Sequence, residues 1–335
     1  MGFRILKSGL LTTVQDLGRI GYQSQGFGTS GAMDERSFKI ANLLLDNPEN
    51  EAALEVALIG PTIEFTSATI IAITGGEFTP TINKKPVDMY TAIYVNKGDV
   101  LEMQGAVNGS YGYIAFSSYL DVPVVMGSRS TNLKSNVGGY KGRKLKEGDY
   151  VGFRIKRRYL PCFLSRKLKI HECRGESATL RVVLGPQDDK FTTQGIETFL
   201  SEEYTVTGEF DRMGCRMEGS FISVKESSDI ISDGIAFGSI QVPSHGQPII
   251  VLADRQTTGG YAKIATVVTV DIPKLVQCKP DHKVRFKAIT VQEAQELIIK
   301  EMNEMDIMRK IIHTPCKEVL ECRIVSQRLK TLFES

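Results

Sequence analysis

Four glycine-rich stretches of this sequence concentrate side chains that could bind or activate a small ligand. They occupy positions 12–23, 122–133, 210–219 and 241–265. In the last stretch an apolar run is followed by five consecutive hydrogen-bonding residues and then by two glycines. The five are Asp254, Arg255, Gln256, Thr257 and Thr258. Each stretch places an arginine near hydroxyl or carboxylate groups, and the planar guanidinium suits a carboxylate or a phosphate.

The surroundings of these arginines permit two interpretations. Glycine lets a backbone approach a ligand closely, and an aspartate beside an arginine can move a proton or hold the arginine in place. A polar turn whose side chains cap its own backbone has the same composition, which is the simpler explanation of any one stretch. Four such stretches in one chain favour a binding site, and their chemistry suits a small carboxylate or amide.

Several common kinds of site are not predicted. The sequence has only four histidines and none lies three to five residues from another, so we expect no metal site. Residues 138–145 lack the Gly-Lys-Ser/Thr ending of a phosphate loop, and residues 28–32 lack the spacing of a nucleophile elbow. We interpret His245 as a loop residue rather than a general base. No Met-Lys-Met stretch is available for biotin attachment, so ATP or biotin chemistry would need other chains.

The composition indicates a globular protein without a large excess of either charge. A net charge of +2 gives no reason to expect nucleic acid or an anionic membrane as a partner. No apolar run approaches the ~18 residues of a transmembrane helix, and the first residues do not resemble a signal peptide. Six cysteines without CxxC spacing are interpreted as reduced thiols. We therefore expect a cytoplasmic protein.

Short strands are predicted to carry the four polar stretches. Residues 62–76 alternate and then become fully apolar, and residues 92–103 read as two strands around an Asn-Lys-Gly-Asp turn. The same pattern continues in "TLRVVLGP", "YTVTGEF", "SFISVKE" and "IATVVTV". Thirty-one glycines and twelve prolines fit frequent turns. Closely spaced short strands favour a barrel or a sandwich over a parallel sheet.

Helices are predicted to be few. Asp34 can cap a helix that begins at residue 35, and Thr290 with Glu293 has the spacing of a capping box before a periodic apolar pattern. A last helix is predicted from Thr314-Pro315 to about residue 333. The basic segment 153–170 is either an anion-binding patch or a solvated linker, and we place a domain boundary there.

Three parts follow from that boundary. We predict an N-terminal β-barrel half at residues 1–160, a C-terminal β-barrel half at residues 161–289 and a helical extension at residues 290–335. Faint common features of the two halves, such as a Gly-Pro after an apolar strand at residues 60–61 and 185–186, hint at related barrels without proving a duplication.

Seven motifs stand in one order between about residues 3 and 290. They are "TTVQDLGRIGYQ", "GAMDERSFKIAN", "NEAALEV…GP", "DVPVVMGSRST", "FDRMGCRMEG", "SDGIAFGSIQVP" and "GQPIIVLADRQTTGGY". Together they resemble the biotin-dependent carboxyltransferase family, the group of allophanate hydrolase subunit 2, the C subunit of 5-oxoprolinase and the kinase-inhibitor antagonist KipA. The resemblance implies a mainly β fold with two cyclophilin-like β-barrel domains, a few short helices and a C-terminal helical extension.

The resemblance also implies an activity. A stand-alone chain of this length is expected to be the C subunit of an ATP-dependent 5-oxoprolinase, a hydrolase that opens the cyclic amide 5-oxo-L-proline to L-glutamate. It would act with a KipI-like B subunit and a lactam-utilisation-type A subunit, with ATP used at the level of the complex and biotin not attached to this chain. Two alternatives stay open. One is a carboxyltransferase half acting on urea or another amide with a biotin carrier elsewhere, and the other is a regulatory protein that antagonises a KipI-like histidine kinase inhibitor.

The candidate site residues come from the four polar stretches. We expect Arg255 and Arg212 to anchor a carboxylate or a phosphoryl-like intermediate, while Asp254 or Asp211 manages protons. The expected catalytic set is Asp254, Arg255, Asp211, Arg212 and Asp16. The expected substrate-binding set is Gln15, Arg19, Ser128, Arg129, Gln256 and Thr257. Donors among them would stabilise the charge that develops on a lactam carbonyl oxygen.

Some positions depart from the family pattern. Ser30, Ser118, Tyr119 and Asp281 stand where the family usually has glycine, and Ala262 stands where it usually has proline. These changes fall at turns, so we expect the fold to be kept. The change at Ser118 and Tyr119 could reshape a pocket and so affect which amide is the substrate.

Overall fold

Short strands joined by tight turns dominate the computed structural model, which describes residues 1–170 and 176–315. Twelve strands precede residue 154. They are β1 (Gly2–Lys7), β2 (Leu11–Gln15), β3 (Ala53–Ala57), β4 (Thr62–Phe65), β5 (Thr69–Glu77), β6 (Pro80–Ile82), β7 (Lys85–Pro86), β8 (Ala92–Val95), β9 (Val100–Met103), β10 (Asn108–Phe116), β11 (Leu120–Asp121) and β12 (Tyr150–Phe153).

These strands form two sheets that enclose an apolar core. The larger sheet has the order β11-β12-β1-β4-β9-β6-β7, and the smaller has the order β2-β3-β10-β5-β8. Phe3 on β1 stacks on Phe116 of β10 with ring centroids 5.0 Å apart, and Phe153 of β12 contacts both rings. The alternation predicted for residues 62–76 becomes β4, whose Ile63 and Phe65 are buried, and β5, whose first eight residues are buried.

Nine further strands lie between residues 177 and 288. They are β13 (Ser177–Leu184), β14 (Tyr204–Phe210), β15 (Gly214–Glu218), β16 (Asp229–Gly234), β17 (Ser239–Gln241), β18 (Ile249–Val251), β19 (Thr258–Tyr261), β20 (Lys263–Val267) and β21 (Lys283–Ala288). Seven of them close a barrel in the order β13-β20-β17-β18-β15-β14-β21, in which β13 and β21 run parallel. The other two, β16 and β19, pair as a separate two-stranded sheet. The predicted mainly β architecture is confirmed.

Four α-helices lie in the described ranges. They are α1 (Glu35–Leu44), α2 (Thr193–Ser201), α3 (Ile272–Val276) and α4 (Val291–His313), and short 3-10 turns occupy Gln23–Gln25, Phe163–Ser165, Asp188–Lys190 and Thr269–Asp271. Two predicted helix starts are confirmed: Asp34 accepts a hydrogen bond from the Ser37 N–H, and Thr290 forms a capping box with Glu293. The helix predicted at residues 314–333 falls almost wholly outside the described residues.

One predicted strand was wrong. Residues 220–226, "SFISVKE", form no strand beyond a single bridge between Phe191 and Val224. The segment instead lies against the start of α2, where the Ser223 carbonyl accepts from the Thr192 N–H at 3.2 Å. A Cβ on Gly195 would lie 2.2 Å from that carbonyl oxygen, so this close approach requires glycine in α2. Neither α2 nor α3 was predicted from the sequence.

Candidate functional site

Asp16 lies at the end of β2, where it fixes the second polar stretch to the first. Its Oδ1 accepts from the hydroxyls of Ser128 at 2.7 Å and Ser130 at 2.5 Å and from the Gly18 N–H at 2.8 Å. Its Oδ2 accepts from the Arg129 N–H at 2.6 Å. The carboxylate is almost fully buried. Four donors occupy the Asp16 carboxylate. Asp16 and Ser128 therefore hydrogen-bond to each other, and Asp16 also binds backbone N–H groups.

Arg19 and Gln15 tie the same loops together. Arg19 is 1% exposed and donates from Nε to the Val125 carbonyl at 3.1 Å and from Nη2 to the Ser130 carbonyl at 3.0 Å. Burial lowers the pKa of Arg19, although the charges of Asp16 and Asp254 oppose that shift. Gln15, fully buried, donates to the Thr131 carbonyl at 3.1 Å. Both predicted substrate-binding residues therefore bind backbone carbonyls.

Arg212 joins the barrel to the first half of the chain. From the turn between β14 and β15 it donates to the Asp254 carboxylate, with Nε at 2.9 Å and Nη2 at 3.1 Å. Its Nη1 pairs with Glu55 of β3, and its Nη2 also donates to the Gly31 carbonyl at 2.7 Å. Burial opposes the charged guanidinium, but Asp254 and Glu55 outweigh it and raise the pKa of Arg212. Only 4% of Arg212 is exposed, so little of it is available to a ligand.

Glu55 completes this cluster, although it was not among the residues predicted from the sequence. Its Oε2 accepts from the Tyr113 hydroxyl and from the Met33 N–H, each at 2.8 Å. Burial raises the pKa of Glu55, and Arg212 opposes that rise. A glutamate inside the apolar strand Ala53–Ala57 was the available signal, because carboxylates are almost never buried without a partner. Below, the name Arg212 cluster denotes Arg212, Asp254 and Glu55.

An open cleft of about 560 Å³ lies beside the barrel and contains three of the predicted residues. Its lining includes Asp211, Arg216, Ile235, Gln241, Arg255 and Gln256. Asp211 caps its own turn, since Oδ1 accepts from the Met213 N–H at 2.7 Å and the Gly214 N–H at 3.2 Å. Arg216, also on this cleft, is paired with Glu209 at 2.9 Å.

Arg255 differs from Arg212 and Arg216, which are both paired with carboxylates. Its Nε donates to the Ile235 carbonyl at 3.0 Å, and it has two longer contacts of 3.5 Å, to the Leu252 carbonyl and the Thr29 hydroxyl. Its guanidinium also lies 5.6 Å from the centre of the Phe237 ring. Within residues 1–170 and 176–315 it has no carboxylate partner. Burial lowers the pKa of Arg255, and no neighbouring charge in those ranges compensates.

The predicted site residues thus fall into three groups. Asp16, Ser128, the Arg129 N–H, Arg19 and Gln15 form a buried network. Arg212 and Asp254 belong to the Arg212 cluster. Asp211, Arg255 and Gln256 line the cleft, and the Thr257 carbonyl accepts from the Ile235 N–H at 3.1 Å beside it. The loop at residues 28–31 connects the last two groups, because Thr29 contacts Arg255 and Gly31 contacts Arg212.

The arrangement suits the binding of a small anion in the cleft. A partly desolvated guanidinium without a carboxylate partner can form a bidentate pair with a ligand carboxylate. Among the described residues, no group of three or more His, Cys, Asp or Glu side chains could hold a metal ion. No helix in the described part of the chain is long and apolar enough to cross a membrane.

Comparison with known proteins shows which sequences and structures this chain is similar to. The model of the carboxyltransferase domain, subdomain A and B, matches residues 25–288. The 5-oxoprolinase C subunit of Haemophilus influenzae is 34% identical over 308 residues, which cover 90% of this chain and 95% of that protein. The Escherichia coli protein of the same name is 33% identical over 296 residues, covering 87% and 92%. The urea carboxylase of Kluyveromyces lactis superposes with a TM-score of 0.84 at 28% identity, over 92% of this chain and 29% of that one.

Proposed function

This chain belongs to the family of the carboxyltransferase domain, subdomain A and B, and from that membership we propose that it is the C subunit of a multi-subunit, ATP-dependent 5-oxoprolinase. The complex would open 5-oxo-L-proline to L-glutamate, with a lactam-utilisation-type A subunit and a KipI-like B subunit as partners. The observation that carries the proposal is the match to the C subunit of 5-oxoprolinase over nearly the full length of both chains.

The cleft offers a suitable environment for this substrate. The molecule 5-oxoproline carries one carboxylate on a small ring, and Arg255 is the cleft arginine without a carboxylate partner among the described residues. In the proposal the Arg255 guanidinium holds the substrate carboxylate. A volume of about 560 Å³ lies within the ~300–1,000 Å³ common for small-molecule sites.

The lactam group needs polar partners of its own. Gln241 on β17 is buried against the cleft, and among the described residues its Nε2 makes only a long contact, 3.4 Å, to the Tyr261 carbonyl. Gln241 and the exposed Gln256 are therefore assigned as donors to the ring carbonyl oxygen, where negative charge develops as water adds. The new bond joins the water oxygen to the carbonyl carbon, and the ring C–N bond breaks as the nitrogen takes a proton. Asp211 is the predicted acid or base that lines this cleft.

The buried predicted residues receive a different role. Arg212 and Asp254 are occupied by each other and by Glu55, and Asp16 is occupied by four donors. We assign them to the positioning of the loops that carry Arg255, rather than to the contact with substrate expected from the sequence. ATP is assigned to the partner subunits, because residues 138–145 lack the Gly-Lys-Ser/Thr ending of a phosphate loop.

A second candidate function is favoured by one observation. The superposition on urea carboxylase covers nearly all of this chain. Carboxyl transfer to urea or another amide, with biotin on another chain, would use the same cleft and the same donors to an amide carbonyl. It differs from the first proposal in requiring a biotin carrier and in producing no glutamate.

The test is glutamate release from 5-oxo-L-proline and ATP by the purified chain alone, with the B subunit, and with both the A and B subunits. We expect release only from the full mixture. Arg255→Ala should lower kcat/KM about a hundredfold, because truncating one partner of a desolvated, hydrogen-bonded charge pair costs ~2–5 kcal/mol. Arg216→Ala is the matched control, because Arg216 lines the same cleft but is half exposed and paired with Glu209.

Each outcome decides between the candidates. Loss of activity in Arg255→Ala with near-normal activity in Arg216→Ala supports the assignment. Equal activity in both variants removes Arg255 from the site. A stable complex that releases no glutamate contradicts the 5-oxoprolinase proposal, and assays with urea and a biotin carrier then test the second candidate.

A further inference from the structure

One wall of the cleft is a ribbon made of β16 and β19 together with residues 235–237. Its outer strand is highly exposed, and Ile231 on it is 95% exposed. Its inner side supplies Ile235 to the cleft, and Ile235 also provides the carbonyl that accepts from Arg255. The ribbon is a separate two-stranded sheet outside the barrel, so its position depends on contacts with its surroundings.

Lys263 makes such a contact from the barrel. It lies on β20, and only 2% of its surface is exposed. Its Nζ donates to the Asp233 Oδ2 at 2.7 Å and to the Gly234 carbonyl at 3.1 Å. The Asp233 side chain is 54% exposed, and its Oδ2 also accepts from the Gln187 Nε2 at 3.0 Å. A buried ammonium on the barrel therefore holds an exposed carboxylate on the ribbon.

The backbone connects this ion pair to Arg255. Asp233, Gly234 and Ile235 are consecutive. Lys263 binds the first two, and Arg255 donates to the carbonyl of the third. A shift of a few tenths of an ångström in residues 233–234 would be transmitted to the Ile235 carbonyl. The 3.0 Å bond that orients the Arg255 guanidinium is sensitive to such a shift, because hydrogen bonds weaken quickly with distance and angle.

Lys263 itself does not line the cleft. Gln241 on β17, its direct partner across the sheet, is among the residues that line the cleft. Burying an ammonium group without hydrogen-bond acceptors costs free energy. Here a carboxylate and a carbonyl of the ribbon accept from the Lys263 ammonium and offset that cost. A methionine of similar length would fill the space without any need for the ribbon. The charge at this position thus serves the attachment of the ribbon.

We propose that Lys263 is a positioning residue that latches the ribbon through Asp233 and thereby sets the Ile235 carbonyl that orients Arg255 in the cleft. The latch is a property of the chain itself, while its kinetic consequence rests on the proposed function. The proposal predicts that breaking the latch weakens substrate binding and leaves the chemical step nearly unchanged, because Arg255 contacts the substrate carboxylate and not the bond that breaks.

The test uses the full chain and a small set of variants. Lys263→Met and Asp233→Asn each break the ion pair, and the double variant should add little to either one, since both act on one contact. Arg285→Met is the matched control, because it breaks the exposed Arg285–Glu203 pair on β21, a strand that pairs with β13 and β14 and not with the ribbon. Lys263→Arg keeps a donor to Asp233 and should restore part of the effect. In Asp233→Asn the Gly234 carbonyl and the new amide oxygen can still accept from Lys263, so this variant is the second test if Lys263→Met does not fold.

Two measurements on the isolated chain need no enzymatic activity. Hydrogen exchange of residues 229–237 should become at least about tenfold faster in both single variants and stay unchanged in Arg285→Met, the tenfold factor being a loss of ~1.4 kcal/mol of local protection. Modification of Arg255 by phenylglyoxal, followed by peptide mass spectrometry, should accelerate in the same variants. Unchanged exchange in both variants overturns the latch, and faster exchange with unchanged modification overturns its link to Arg255.

The third measurement is kinetic and uses the assembled complex. The KM for 5-oxoproline should rise about tenfold in Lys263→Met and Asp233→Asn with kcat within about twofold, as expected when uniform binding is lost. A fall in kcat with unchanged KM contradicts a positioning role. If the wild-type complex releases no glutamate, the proposed function fails, while exchange and modification still decide whether the latch exists and orients Arg255.

Discussion

Replacement of Arg212 by methionine separates a structural arginine from a ligand-binding one. The substitution keeps most of the side-chain volume and removes the charge. It leaves the carboxylates of Asp254 and Glu55 buried together without a cation, and it leaves the Gly31 carbonyl without its donor. If Arg212 acts as the geometry indicates, the main effect is on folding stability.

The size of the effect follows from the contacts. Arg212 makes four charged hydrogen bonds, three of them to carboxylates, and a charged hydrogen bond contributes roughly 1.5–3 kcal/mol when measured singly. The contributions are not additive, because removing a guanidinium also lets one carboxyl take up a proton. Breaking a buried ion pair by deleting one partner typically costs about 3–5 kcal/mol. We therefore expect Arg212→Met to lower the free energy of unfolding by about 4 kcal/mol.

The assay is urea denaturation followed by circular dichroism, since the chain has no tryptophan. Arg216→Met is the control and should change stability by less than ~0.5 kcal/mol, as usual for exposed pairs. The triple variant Arg212→Met, Glu55→Gln, Asp254→Asn should recover at least half of the loss, because no unpaired charge remains buried. A stability loss below ~1 kcal/mol in Arg212→Met, or no recovery in the triple variant, would refute the structural role.

Two further predictions concern buried aspartates. Asp16→Ala should lower the free energy of unfolding by about 3 kcal/mol, because four donors lose one acceptor, and urea denaturation measures it. Burial alone would raise the pKa of Asp271, but hydrogen bonds from Arg181 and Lys274 outweigh it and lower that pKa. A lowered pKa stabilises the fold above the unfolded value of ~3.9. The stability difference between wild type and Asp271→Asn should therefore be constant from about pH 7 to ~5 and shrink below ~4, as urea denaturation across that pH range would show.

More of the fold than of the candidate site could be predicted from the sequence. Periodicity and caps located β4, β5, β8, β9, β13, β14 and β20 and the starts of α1 and α4, since these signals are local. Of the four positions where the resemblance led us to expect glycine, Ser30, Tyr119 and Asp281 adopt φ angles of +55°, +54° and +74°, the region that favours glycine, and Ser118 does not. A glycine at these three positions would have a conformational reason, and this chain forms the turns without one.

The roles of the arginines could not be read from local spacing. Arg212 and Arg255 both follow an aspartate in a glycine-rich stretch. The local sequence therefore predicted the same role for both, the anchoring of a carboxylate or a phosphoryl-like intermediate. What separates them is Glu55, which is 157 positions away from Arg212 in the chain and meets it only because β3 faces the barrel. Only the tertiary structure shows which arginine already has its counter-ion. A buried glutamate in an apolar strand was a usable warning, but it did not indicate the partner.

The different surroundings of Arg212 and Arg255 indicate which of the two would gain more binding free energy from an anionic ligand. Burial strips water from both guanidiniums, and two carboxylates compensate Arg212 so fully that its pKa rises. Arg255 has carbonyl, hydroxyl and ring contacts instead, and burial lowers its pKa. A carboxylate that enters the cleft would give Arg255 the counter-ion that it lacks among the described residues. That gain is greatest when the guanidinium is already oriented, so the fixed Ile235 carbonyl reduces the ordering cost of binding.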